Sequence, residues 1–247
     1  MARYDFAARR LYVETRLDAD TRVELNPAQS HYLRNVLRLS DGAEILVFNG
    51  RDGEWRARLS GTPRNAALVA LAQTRRQEQG ADLHYLFAPL KHARLDYLVQ
   101  KAVEMGAGLL QPVLTRHTQT ARVNIERMRA NAIEAAEQCG ILALPRVAEP
   151  LKLERLLAAW PEERLLIFCD EDADSADPLR ALGAAKQGAP LAVLVGPEGG
   201  FDPFERTAIL ANSSVIRVSL GPRILRADTA AVAILALVQT VLGDWRS

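Results

Sequence analysis

Two glycine-rich turns hold the residues best suited to chemistry. The first lies in residues 191–205, LAVLVGPEGGFDPFE, where an apolar run ends at Leu194 and Val195 and gives way to Gly196, Pro197, Glu198, Gly199 and Gly200. Asp202 and Pro203 then open a helix. The second lies in residues 215–237, VIRVSLGPRILRADTAAVAILAL, and repeats the scheme: an apolar strand, a turn at Leu220 and Gly221 running through Ile224 and Leu225, and a helix. Arg223 and Arg226 flank that turn, and Asp228 and Thr229 stand where a helix cap would sit. Turns of this kind, between a strand and a helix, bring backbone N–H groups close to a ligand.

Neither turn carries G-x-x-x-x-G-K-[ST] or G-x-G-x-x-G, and Glu198 stands where a phosphate loop places lysine. A ligand with few phosphates, held by backbone groups around a flat base, fits better. Gly-Pro structural turns account for the same spacing. If both strands belong to one parallel sheet, the turns lie beyond its carboxyl edge and face one crevice.

The elements that would position these turns change character near residue 80. Before it, short alternating runs, RLYVETRL, EILVFNG, EWRARLSG and AALVALAQT, are separated by SDGA, GRDG and GTPRN, with one short helix over residues 28–37. Closely spaced strands of this kind predict a small barrel in residues 1–75. After the polar stretch TRRQEQGAD, strands and helices alternate through residues 82–247, and RLLIFCD, PLAVLVG and VIRVSL are near-continuous apolar runs. That rhythm predicts an α/β domain with a parallel sheet covered on both faces.

Composition bounds the class. Of 247 residues, 49% are hydrophobic and 25% charged, which fits a folded globular chain. Net charge is only +1. Residues 1–80 hold 13 Arg, no Lys and 10 acidic residues, a balance of +3. Arginine forks suit RNA phosphate, although a GC-rich genome gives the same bias. Two cysteines, Cys139 and Cys169, give no disulfide framework, and MARYDFAARR lacks the apolar run of a secretory signal, so a cytoplasmic location is expected. The apolar stretch 230–242 is too short to span a bilayer. His31, His84, His92 and His117 show no metal-ligand spacing, so no metal site is expected.

LVGPEGGF together with LGPRILRADTA resembles the two C-terminal signatures of the RsmE family of SPOUT-superfamily RNA methyltransferases. HYLRNVLRLSDG and FNGRDGEW resemble that family's N-terminal PUA-like RNA-binding barrel, and KHARLDYLVQKAVEMGAGLLQPV and EAAEQCG its central helices. The resemblance covers nearly the whole chain. It implies a PUA-like β-barrel followed by a trefoil-knotted SPOUT α/β domain, a homodimer, and S-adenosylmethionine held by Leu194, Gly196, Pro197, Glu198, Gly199, Gly200, Leu220, Gly221, Ile224, Leu225 and Arg226. The implied reaction is methylation of uridine N3 in small-subunit ribosomal RNA, free or in a partly assembled subunit. A SPOUT enzyme with another RNA target, and a non-catalytic assembly factor, fit the same motifs less closely.

N3 lies on the Watson–Crick edge, so the base must be unpaired or turned out. Its proton must also leave, which an Arg near the carbonyls and a carboxylate would assist. Arg226 and Asp228 are the catalytic candidates; family members usually carry Glu at the position of Asp228, and helix capping is its alternative role. Near Ile141, relatives often carry a polar residue that this chain lacks. Glu198 could orient the cofactor, cap the following helix or pair with an Arg. His31, Arg34 and Arg38 would share one face of the short helix and grip RNA phosphates, or face water; Lys91 has the same two readings. The helix over residues 229–242 has no polar stripe and is expected to be buried on every side, either within its own domain or across a two-fold axis.

Overall fold

The computed structural model describes residues 8–62, 65–120, 122–173 and 177–246. Residues 1–7, which open the expected barrel, lie outside that set, as does the side chain of His92. The chain divides into two compact units, one of Met1–Gln79 with Ile133–Leu144, the other of Gly80–Ala132 with Pro145–Ser247.

The first unit holds β1 (Arg10–Tyr12), β2 (Arg22–Glu24), β3 (Glu44–Phe48), β4 (Glu54–Ser60) and β5 (Ala67–Arg75), in the order β1-β3-β4-β5-β2. β1 runs parallel to β3, and the other pairings are antiparallel. Period-two alternation buries Ile45, Val47, Ala57, Leu59, Leu68 and Ala70. Leu11 from one edge strand and Val23 from the other join the same core, so the sheet curls around it. β2, only three residues long, is not evident in the sequence.

Helix α1 (Pro27–His31) starts with a full capping box: the Asn26 side chain accepts from the Gln29 N–H, and Gln29 returns the bond. A π-helical turn over Tyr32–Val36 follows, and the chain then leaves the helix, with Arg38 at φ +54. The expected helix over 28–37 is therefore shorter and widened. The segment Ile133–Leu144 is tied to this unit by Arg75 Nη1 donating to Gly140 O at 2.8 Å and by the Tyr12 N–H donating to Glu137 at 2.7 Å.

The second unit is built on a parallel sheet. Its strands are β6 (Leu83–Phe87), β7 (Leu109–Leu114), β8 (Arg146–Val147), β9 (Leu151–Lys152), β10 (Leu165–Cys169), β11 (Leu191–Val195) and β12 (Val215–Val218). The order is β12-β10-β11-β6-β7-β8, and β9 also pairs with β7. All five residues of β11 are buried, as a doubly covered parallel strand requires. One face packs Phe168, Leu194 and Val113 with Leu153 and Ile209, which lie on α4 (Leu153–Ala158) and α6 (Pro203–Leu210).

Helices α2 (His92–Glu104) and α7 (Ala227–Val241) pack against each other. At their ends, Gln239 Nε2 donates to Met105 O at 2.8 Å. Helices α3 (Ile125–Cys139) and α5 (Pro178–Gly183) complete the set, and among the described residues no helix is long and apolar enough to cross a membrane.

Helix α7 corrects one expectation. Ala227, Ala230, Ala231, Ile234, Leu235 and Val238 are buried, but Val232, Ala233, Ala236 and Leu237 are only half-buried. An apolar helix with one covered stripe keeps an apolar stripe for something else.

Candidate functional site

Strands β10, β11 and β12 run parallel and side by side, so their carboxyl ends share one edge of the sheet. There, Cys169, Asp170 and Glu171 meet the loop 196–201 and the loop 219–225 around a cleft of ≈ 570 Å³. Gly196, Pro197, Glu198, Gly199, Gly200, Leu220, Gly221, Ile224 and Leu225 all line it. Two expected residues do not. Leu194 is buried in β11 beneath the loop, and Arg226 is the N-cap of α7 with an exposed side chain.

The glycines differ in what they permit. A Cβ on Gly196 would lie 2.5 Å from the Phe201 ring, and Gly200 has φ +69, a conformation that favours glycine. Gly199 has a negative φ and ordinary space, its nearest neighbour being His117 Cβ at 3.5 Å. His117 Nδ1 lies 3.2 and 3.1 Å from the carbonyls of Gly199 and Gly200, so a proton on Nδ1 ties that turn down. The helix beyond begins as its residues dictate: Asp202 caps α6, with Pro203 at its start and Glu205 closing the capping box.

Asp170 was not evident in the sequence, where it reads only as the residue ending an apolar strand. Its side chain is 2% exposed and is held by Arg206 Nη2 at 3.0 Å and Arg217 Nε at 2.8 Å. Burial would raise its pKa, but the two guanidiniums outweigh that and hold it below the usual carboxylate range. Beside it, burial pushes the Cys169 thiol up to about 12, leaving it unreactive as a nucleophile.

Arg94, on the first turn of α2, connects the loop 196–201 to the first turn of α7. Its Nε and Nη2 reach Asp228 Oδ2 and Oδ1 at 2.9 and 3.1 Å, and its Nη1 pairs with Glu198. Glu198 forms the ion pair with Arg94, and Asp202 takes the cap of α6. Asp228 is not the helix cap: Arg226 is, and Asp228 sits two residues inside, its carboxylate on Arg94 and on the Thr229 N–H. Arg94 foremost holds the Asp228 pKa down, which makes that carboxylate a weaker base. Lys91, exposed at the N-cap of α2, makes no side-chain capping bond.

In the first unit, His31 and Arg38 are exposed, and Arg38 lies past the end of the helical turn, so the three residues do not line one continuous helix. Arg34 is 9% exposed at its side chain and donates to Gly61 O at 2.5 Å and Leu39 O at 3.3 Å, which makes it a clip inside its own unit. Among the described residues, no group of three His, Cys, Asp or Glu could hold a metal ion.

Comparisons with known proteins agree with both units. Residues 77–239 match the family described as RNA methyltransferase domain, and residues 25–71 match RNA methyltransferase PUA domain. The chain is 30% identical to the ribosomal RNA small subunit methyltransferase E of Rickettsia conorii, over 95% of this chain and 96% of that one. It is 32% identical to the protein of the same name from Synechocystis, over 95% of this chain and 78% of the relative. The crystal structure of a ribosomal RNA small subunit methyltransferase E from Neisseria gonorrhoeae bound to S-adenosyl methionine superposes with a TM-score of 0.84 at 27% identity, covering 96% of this chain and 99% of that one.

Proposed function

The chain belongs to the ribosomal RNA small subunit methyltransferase E family, with its PUA-like and SPOUT-type domains, and from that membership we propose that it methylates N3 of one uridine in small-subunit ribosomal RNA. S-adenosylmethionine is the methyl donor. The observation that carries this reading is the gathering of three strand ends into one cleft. Its ≈ 570 Å³ lies within the ~300–1,000 Å³ of sites that enclose a whole small molecule. The lining fits a phosphate-free ligand: Leu220, Ile224, Leu225 and Ala230 offer apolar surface to a flat base, and Glu171 stands at the wall with Arg223, while Asp170 is already held by Arg206 and Arg217.

When bound, S-adenosylmethionine supplies a methyl group whose bond to sulfur breaks with the electron pair staying on sulfur. The chain's task is alignment and charge. Gly196 and Gly200 hold the loop close, and Asp170 fixes Arg206 and Arg217 beneath it. N3 gives up its proton to solvent water before or as it takes the methyl group, and the negative charge that deprotonation leaves on the uracil oxygens needs a countercharge until transfer cancels it. Arg226, exposed and without a side-chain partner among the described residues, supplies the countercharge. Asp228 acts through Arg94 and not as the proton acceptor, because an ionised carboxylate already held by a guanidinium is a poor base. Exposed cations of the first unit, Arg38 among them, hold RNA phosphate.

The half-buried apolar stripe of α7 is covered by a second copy, giving the homodimer, and the connections of the second unit form the trefoil knot that the family resemblance implies. The protein works in the cytoplasm. Mass-spectrometric mapping of ribosomal RNA from a strain lacking the gene should show one N3-methyluridine missing, and an unchanged map overturns the proposal. Light scattering should give twice the 27.2 kDa chain mass.

A further inference from the structure

Among the described residues, two buried side-chain polar atoms make no hydrogen bond, and one of them is the hydroxyl oxygen of Tyr85. The other, Arg34 Nε, belongs to a guanidinium whose remaining nitrogens are bonded. Tyr85 has no second polar atom to compensate. Its side chain is wholly buried on β6, inside the sheet, with the ring stacked on Phe87 at 5.1 Å. A phenol oxygen kept from water without a partner costs stability that phenylalanine in the same place would keep. Packing alone gives no reason for the oxygen.

Its position supplies one. Tyr85 pairs in register with Val193 of β11, and Val193 with Ile167 of β10, so the three side chains share one face of the sheet. Two residues further along that face stand Val195 and Cys169, which line the cofactor cleft together with Ala227 and Ala230 of α7. Apart from burial itself, the side chains that act on the ionisation of Tyr85 are Cys169 and Asp228. The hydroxyl is therefore directed to the inner end of the cleft, between the end of β10 and the first turn of α7. Burial holds its pKa well above the usual value, so it is a neutral O–H donor.

The surroundings select the group it meets. Val195, Ala227 and Ala230 are apolar, and a carboxylate or an ammonium set against them would give up its water for one bond. A flat heteroaromatic ring gives up little and brings nitrogens that accept. We infer that the Tyr85 hydroxyl is a cofactor-positioning group, donating to a ring nitrogen of the adenine of S-adenosylmethionine at the inner end of the cleft. The inference rests on the methyltransferase reading above. Tyr85 then sets how deep the base sits, and through that where the methyl group lies. Stability given up in the cofactor-free protein is recovered as affinity.

Tyr85→Phe removes the one oxygen and tests this by effects of opposite sign. The urea midpoint of the cofactor-free variant should equal or exceed that of wild type, while the calorimetric Kd for S-adenosylmethionine should rise about tenfold. The Kd for methylthioadenosine, which keeps the base and lacks the amino-acid part, should rise by the same factor. An S-adenosylmethionine Kd within about twofold of wild type overturns the inference. Weakening confined to S-adenosylmethionine does so as well, because it places the contact on the amino-acid part. A variant that unfolds more easily than wild type, or does not fold, shows that the hydroxyl is already bonded within the protein and overturns the inference too. A wild-type protein that binds no S-adenosylmethionine overturns the functional reading itself, and this inference with it.

Discussion

The Arg94 guanidinium grips Asp228 by both carboxylate oxygens, at 2.9 and 3.1 Å, while its remaining nitrogen holds Glu198. One side chain on α2 thus fixes the loop after β11 to the first turn of α7. Arg94→Lys keeps the charge but loses the fork, so kcat should fall at least tenfold with the fold intact. Steady-state kinetics with a circular dichroism control measures this. Unchanged kcat would mean that the loop and the helix hold their places without it.

The glycines of the first loop should separate by mechanism. Gly196→Ala drives a methyl group into the Phe201 ring and should cost about 1–3 kcal/mol of stability together with cofactor affinity. Gly199→Ala meets only ordinary contacts, so thermal unfolding should match wild type. Any loss of cofactor affinity in Gly199→Ala, read by calorimetry, then reports the ligand's own approach to that residue.

Asp170→Asn should destabilise the second unit by about 3 kcal/mol, because Arg206 and Arg217 would face each other without their buried counter-charge. Urea unfolding at neutral pH is the measurement. A change below 0.5 kcal/mol, the ordinary scatter for surface substitutions, would show that solvent takes over the role of the carboxylate.

His84 gives the fold a pH dependence of known sign. Burial, helped by Arg164, pushes its pKa down to about 4, whereas an unfolded histidine titrates near 6.5. Below about pH 6.5 the unfolded chain binds a proton that the folded chain refuses. Stability from this group is therefore complete above pH 6.5 and lost as pH falls towards 4. His84→Asn should flatten the slope of unfolding free energy between about pH 6.5 and 5, above the carboxylate range. An identical slope in the variant would assign the effect elsewhere.

Arg34 and Arg38 should part company in RNA binding. Arg38→Ala should reduce the slope of log affinity against log salt by about one while leaving the melting temperature unchanged. Arg34→Ala should lower the melting temperature, since it removes bonds to Gly61 and Leu39 inside the unit. A full loss of salt slope in Arg34→Ala with an unchanged melting temperature would reverse these roles.

The two glycine-rich loops were legible because Gly and Pro punctuate apolar runs there, and punctuation of that kind survives in any sequence. Asp170 and Arg94 were not. A lone Asp after a strand and a lone Arg in a helix that also carries Lys101 look like solvated surface, and only the sheet order and the helix placement bring them to the cleft. The same holds for residues 133–144, whose place in the first unit rests on contacts to Tyr12 and Arg75, far away in sequence. Asp228 looked like a cap because it follows a turn; Arg226 takes that place because the helix begins at Ala227.

Arg94 and Asp228 join α2 to α7 near their amino ends, and Gln239 joins α7 to Met105 just past the carboxyl end of α2. Two rods fastened at both ends resist sliding and scissoring, so accommodation of an incoming ligand falls first on the turns, with the paired helices as the anvil against which they close.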